Sequence, residues 1–190
     1  MAITEEKIIA AATRHLNQEP TASMARLAEA IGTSRATLHR HFASREDLLH
    51  TLGVRSLDRW EASQREAGLA EAAASGDPAR ITEGLHTVLR LFVADADEYG
   101  FALTDYFMAE MPDLVARANE LAEREIAFYA AAQRAGVLRT DLSARWISYT
   151  VYGLLVAARD SLRHGSVARR DLDQLVLETF LNGNGAGGTP

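Results

Sequence analysis

The chain has 190 residues, 47% of them apolar, enough to bury one sizeable core plus a small module. It has no cysteine, which excludes disulfides and thiolate zinc and suits a reducing cytoplasm, the expected location. No run approaches the roughly 20 apolar residues of a membrane span, no secretory apolar stretch opens the chain, and the net charge of −6 argues at first against a nucleic-acid partner.

Thr4 followed by Glu5 and Glu6 predicts a helix start with acids at the positive end of the dipole, and Ile8, Ala12 and Leu16 form its apolar stripe. Residues 24–42, MARLAEAIGTSRATLHRHF, have the grammar of a helix-turn-helix. Met24, Leu27, Ala28 and Ile31 stand at i, i+3, i+4 and i+7 on one face. Gly32 supplies the left-handed residue that ends this helix. Ser34 is placed to cap a second helix, whose inner face carries Leu38 and Phe42. Ala28 is small where the two helices should cross. A three-residue turn then sets them at a steep angle, the arrangement that puts the second helix into a DNA major groove.

Ser44 and Asp47 have capping-box spacing and open a fourth helix, continued by Leu48, Leu49, Leu52, Leu57 and Trp60. Gly76-Asp77-Pro78 is a break, with Asp77 as cap and Pro78 in the first turn. Ile81, Leu85, Val88, Leu89 and Phe92 predict a helix up to Gly100, and a short aromatic helix is expected from Phe101 to Met111. Pro112 opens the next, with Leu114, Ala118, Leu121, Phe128 and Ala132 inward, ending at Gly136. Asp141 or Ser143 caps a long helix through Arg163, and Leu172, Leu175, Val176 and Phe180 mark a last one. No segment alternates with period two. The prediction is an all-α chain: an N-terminal three-helix DNA-binding domain with a helix-turn-helix (1–48), a helical bundle for ligand binding and dimerisation (49–182), and a disordered Gly-rich tail (183–190).

The charge is unevenly spread. Residues 1–50 hold six Lys+Arg against six Asp+Glu, together with four of the six histidines, whereas residues 51–190 hold 14 against 20. Arg35, Arg40 and Arg45, with His39 and His41, fall within eleven residues. A local patch of this kind, rather than global charge, governs phosphate contact. On the face opposite Leu38 and Phe42, the residues expected to meet base edges are Arg35, Ala36, Thr37, His39 and Arg40. Arg35 has the fork for a bidentate contact to guanine, and Ala36 or Thr37 suits a thymine methyl. His39, His41 and Arg45 are placed for phosphates, as are Ser23 at the start of the second helix and the amide end capped by Ser44.

The Ala-Ala of the first helix, the Leu-Ala-x-x-x-Gly-x-Ser turn, the Thr-Leu-x-x-x-Phe that follows and the capped helix opening on a basic residue resemble the N-terminal domain of the TetR family of bacterial transcriptional regulators. The resemblance covers residues 4–52. His39 stands where that family usually has Tyr, Ala36 where it has Gly or another small residue, and Arg45 where Lys is commoner. It implies that the positions above contact an operator, double-stranded DNA, and that the last two helices form a homodimer interface. It further implies recognition helices about 34–36 Å apart on a palindrome, with ligand swinging the fourth helix to change that spacing and repression as the output.

In the C-terminal half, Gly153 and Ala157 are small enough for close helix packing, and Leu172, Leu175, Val176 and Phe180 would complete a four-helix seam with a partner copy. The alternative is that these residues serve an intramolecular core. Abundant large side chains suggest a cavity for a small apolar or aromatic effector, with Trp60, His86, Tyr106, Phe128, Trp146 and Tyr149 as lining residues; aromatics at helical spacing are equally the mark of a core. No cofactor, metal site or enzyme activity is expected. His39 and His41 diverge on a helix, Glu46 and His50 are two ligands alone, and Glu83-x-x-His86 occurs once where a di-iron bundle needs two. The competing readings are a factor of the same fold that binds DNA or protein without a small-molecule inducer, and a helical metalloenzyme.

Overall fold

The computed structural model describes residues 3–104 and 106–186, apart from the side chains of Thr104 and Tyr106. The described residues form ten α-helices: α1 (Glu5–Leu16), α2 (Met24–Ile31), α3 (Arg35–His41), α4 (Arg45–Glu66), α5 (Leu69–Ser75), α6 (Pro78–Glu98), α7 (Phe101–Thr104), α8 (Pro112–Arg134), α9 (Ala144–Arg163) and α10 (Arg169–Asn184). The fold is all-α, and among the described residues the one β-type contact is an isolated bridge between Leu138 and Gly185.

The chain divides into two units. The first takes Met1–Asp58 and Glu98–Ala116. Its core is made by the predicted stripes: Ile8, Ala12, Leu16, Leu27, Leu38, Phe42, Leu48 and Leu52 are all buried. Thr4 occupies the cap position of α1, but its hydroxyl makes no capping bond. Asn17, just past α1, donates to the Glu98 carbonyl at 2.6 Å and accepts from the Phe101 amide at 2.8 Å, which ties the end of α6 and the start of α7 to this unit. At Gly53 of α4 an added Cβ would lie 2.6 Å from Leu114 Cδ1, so that side chain would have to shift.

The second unit takes Arg59–Asp97 and Arg117–Pro190. Ile81, Leu85 and Val88 of α6, Leu121, Phe128, Tyr129 and Ala132 of α8, Ile147 and Val151 of α9, and Leu172, Val176 and Phe180 of α10 are buried in it. Asp95 accepts from Arg59 Nε and Ser63 Oγ, both at 2.6 Å, and fixes α4 to α6 within this unit.

Three expectations are revised. The helix drawn from Phe101 to Met111 is instead the single turn α7 and a 3-10 turn, Tyr106–Glu110. The short α5 was not foreseen; Gly68, at φ 63°, separates it from α4. Residues 183–186 are not a loose tail. Asn184 is buried in α10, its carbonyl accepts from the Arg139 amide at 2.9 Å, and the Ala186 amide donates to Val137 at 3.2 Å. Composition suggested disorder, but a buried side chain and paired backbone hold the segment. Residues 187–190 lie outside the described set.

Candidate nucleic-acid interface

Ser23 caps α2, accepting from the Arg26 amide at 3.3 Å. Gly32 ends it at φ 76°, its amide bonded to the Glu29 carbonyl while the Thr33 amide reaches Ala28. This Schellman pairing satisfies the last carbonyls of α2 and turns the chain at once. Ser34 then caps α3 from the Thr37 amide at 3.0 Å. Leu38 and Phe42 are buried, so the opposite face of this seven-residue helix is turned outward.

On that face Arg35, Ala36, His39 and Arg40 are exposed, as is Ser23, while Thr37 and His41 are half-buried. Arg35 Nε lies 3.4 Å from His39 Nε2, and Arg40 Nη2 bonds Thr37 Oγ1 at 3.2 Å. Thr37 Oγ1 is also 2.9 Å from Ser34 Oγ. The Thr37 hydroxyl therefore orients Arg40. The structure brings six predicted residues, Arg35, Ala36, Thr37, His39, Arg40 and His41, onto one short helix with Ser23 at a neighbouring helix start.

Arg45 behaves differently from the expectation. Its Nε donates to the Ala22 carbonyl at 2.9 Å and its Nη2 to Pro20 at 2.7 Å. It braces the start of α4 against the loop before α2 instead of presenting its charge to phosphate. Ser44 caps the Asp47 amide at 3.0 Å, but the Asp47 carboxylate reaches past Ser44 to the Ala43 amide at 2.9 Å. Part of the amide set expected to hold a phosphate is thus already occupied by a carboxylate.

Residues 8–52 match the family model described as bacterial regulatory proteins, tetR family. Across these residues the chain is similar to that family's N-terminal domain. It is similar to the HTH-type transcriptional regulator NfxB of Pseudomonas aeruginosa, with 26% identity over 94% of this chain and 93% of that one. Among solved structures it resembles the TetR-like regulator LfrR of Mycobacterium smegmatis in complex with proflavine, at TM-score 0.73 and 20% identity over 97% of this chain and 95% of that one. It also resembles AibR in complex with isovaleryl coenzyme A and operator DNA, at TM-score 0.64 and 14% identity over 94% and 96%. These similarities support a TetR-like, DNA-binding transcriptional regulator.

The C-terminal assignments fare less uniformly. Trp146 and Tyr149, placed in the effector cavity from sequence, lie on the outer face of α9, 59% and 62% exposed. His86 is exposed on α6, in an open groove with Pro78, Ala79, Thr82, Glu83 and Thr87. Phe128 is core, edge-on to Tyr129 with centroids 5.8 Å apart. The Tyr106 side chain lies outside the described residues. Among the described candidates only Trp60 is tied to a polar group in the interior: its Nε1 donates to Glu125. Of the dimer residues, Leu172, Val176 and Phe180 belong to the protomer's own core, whereas Gly153, Ala157 and Leu175 are exposed. Residues 172, 176 and 180 repeat every four and share the inner face of α10, and Leu175 falls off it.

Sequence reasoning passed over Glu125. It follows Leu121 and precedes Phe128 and Ala132 at i+4, i+7 and i+11, a charged residue in an apolar stripe, and that break in the pattern was the available signal. Among the described residues no group of three or more His, Asp and Glu side chains is arranged to hold a metal. His50 Nε2, considered with Glu46, is 2.7 Å from Asp113 Oδ2. No described helix is long and apolar enough to cross a membrane.

Proposed function

We propose that this regulator is a ligand-responsive repressor that binds a palindromic operator as a homodimer in the cytoplasm, reading bases through α3. The observation that carries the reading is the outward face of α3: Arg35 and Arg40 are exposed and bond His39 and Thr37, and no carboxylate among the described residues neutralises either. Dimerisation is supported by the outer face of α9, where Trp146, Tyr149, Tyr152, Gly153 and Ala157 are exposed, with Leu175 of α10 46% exposed as well. A cluster of large apolar side chains left in water marks a contact surface. A small-molecule effector is supported by the proflavine and isovaleryl coenzyme A complexes of LfrR and AibR.

The test is selection of bound duplexes from a random pool, with anisotropy on the enriched sequence. A palindrome with steeply salt-dependent affinity is expected. Weak binding without an enriched motif would defeat the operator reading and favour a factor working through protein contacts. On the selected site, Arg35→Ala should relax preference at one base pair per half-site, costing about 1–3 kcal/mol there. Arg40→Ala should weaken all sequences alike and flatten the salt slope.

A further inference from the structure

His50 Nε2 lies 2.7 Å from Asp113 Oδ2, and the pair joins α4 to the first turn of α8 within the first unit. Three residues on, Gly53 of α4 meets Leu114, the neighbour of Asp113, so closely that an added Cβ would lie 2.6 Å from its Cδ1. The ring and the carboxylate therefore stand beside a tight helix contact, which fixes their approach. Only residues 42–44 separate α3 from α4, so whatever fixes the start of α4 also fixes the mount of α3. Arg45 braces the same mount against the loop before α2.

Histidine is the side chain whose charge ordinarily changes between about pH 5 and 8. Asp113 stays ionised across that range, because the bond from His50 holds its carboxyl below the usual carboxylate value. Among the described residues neither His50 nor Asp113 has another charged partner. On α4, Glu46 stands one turn before His50, Asp47 is turned to the Ala43 amide, and Arg55 is taken by Glu6 of α1. On the α8 side, Glu110 is exposed just before the helix, and Arg117, four residues after Asp113, reaches Glu61 at 2.9 Å. Glu61 also holds Arg124 at 2.6 Å, and arginine keeps its charge throughout this range. Glu125, bonded by Trp60 and Gln64 of α4, also titrates near neutrality, since burial pushes its carboxyl up to about 7.

We propose that the His50–Asp113 pair is a proton-dependent lock on the mount of α3, so that operator binding tightens in acid and loosens as pH rises. With the ring protonated, an imidazolium donates to a carboxylate, the stronger class of hydrogen bond. Loss of the proton leaves at most a neutral donor, and the tie between α4 and α8 weakens. The sign follows from what the tie restricts. A mount fixed beforehand has less freedom to lose on the operator, so affinity is highest where the pair is charged. This rests on the operator reading above and adds its regulation.

The test is anisotropy on the selected operator with the full-length protein, from about pH 5.5 to 8 at constant ionic strength. Four proteins are compared: wild type, His50→Gln, Asp113→Asn and the double variant. His50 is half-buried and Asp113 exposed, so the variants should melt cooperatively like the wild type. Affinity of the wild type should fall as pH rises, and His50→Gln should remove about threefold or more of that fall, the scale of an exposed ion pair. Asp113→Asn should remove the same share, and the double variant no more than either alone. His39 and His41 of α3 also gain charge in acid, but all four proteins carry them, so their share cancels. Glu125→Gln should keep the share that belongs to His50. Profiles parallel in all four proteins would overturn the proposal and leave the operator reading standing. So would a pH dependence lost in His50→Gln but intact in Asp113→Asn, which would mean that the imidazolium meets phosphate directly. Failure of the wild type to select any duplex would defeat the operator reading itself, and the lock with it.

Discussion

Arg45 spans 25 residues to reach the Pro20 carbonyl and 23 to reach Ala22, with two charge-assisted bonds that close the loop onto α4. Arg45→Ala should therefore lower stability by about 2 kcal/mol in denaturant titrations, since bonds from a charged donor are the stronger class. Unchanged stability with a selective loss of DNA affinity would return Arg45 to the phosphate contacts. Glu125 makes the second prediction at this scale. Its folded pKa of about 7 stands above the 4.5 of the free side chain, so the native state holds a proton that the unfolded chain releases. That contribution is fully present below 4.5 and is lost as pH rises to about 7. On the order of 3 kcal/mol of stability should disappear across that window, as 1.36 kcal/mol per pKa unit implies, and Glu125→Gln should abolish this part of the slope. Equal slopes in both proteins would sink the assignment. Caps such as Ser23 and Ser34 were legible because their partners lie three residues away. The partners of Arg45, and the Trp60 and Gln64 donors to Glu125, lie on other elements, where spacing says nothing.

The α2–turn–α3 element was the most legible part of the chain. A period of 3.6, one glycine and one serine each specify something local, and the tertiary contacts agree with them. Gly32 isolates the turn's energetics, because a Cβ there would meet nothing within 4 Å while φ is +76°. Gly32→Ala should cost about 1–2 kcal/mol purely as backbone strain, read as a lowered denaturation midpoint with operator preference unchanged in the folded fraction. A neutral substitution would mean the turn relaxes into another conformation. The segment from Phe101 to Met111 was misread for the converse reason. Its aromatics look periodic, but their positions answer to distant groups: Asn17 holds the Phe101 amide, and Phe101 stacks on Phe107 with centroids 5.9 Å apart. Element type follows from local pattern only where no long-range bond overrides it.

For the whole molecule, electrostatics and apolar contact pull in opposite directions. Each copy carries a net charge of −6, and residues 1–50 are balanced, so in the proposed dimer two copies meeting through α9 and α10 would bring like-charged bodies together. For that dimer to form, contact through the exposed Trp146, Tyr149, Tyr152 and Leu175 would have to outweigh the repulsion. Added salt screens repulsion between copies but costs the counterion release that drives DNA binding. Dimerisation should thus tighten, and operator affinity fall, over the same salt range. Tyr149→Arg and Leu175→Arg separate the two effects, because both positions are exposed in the protomer and a charge there leaves its core intact. Either variant should sediment as a monomer and keep its helical signal. Operator affinity should drop at least a hundredfold with roughly half the salt slope, because one copy contacts one half-site. A variant that remained dimeric would place the interface on another surface. One that became monomeric yet bound the full palindrome as before would show that a single α3 suffices.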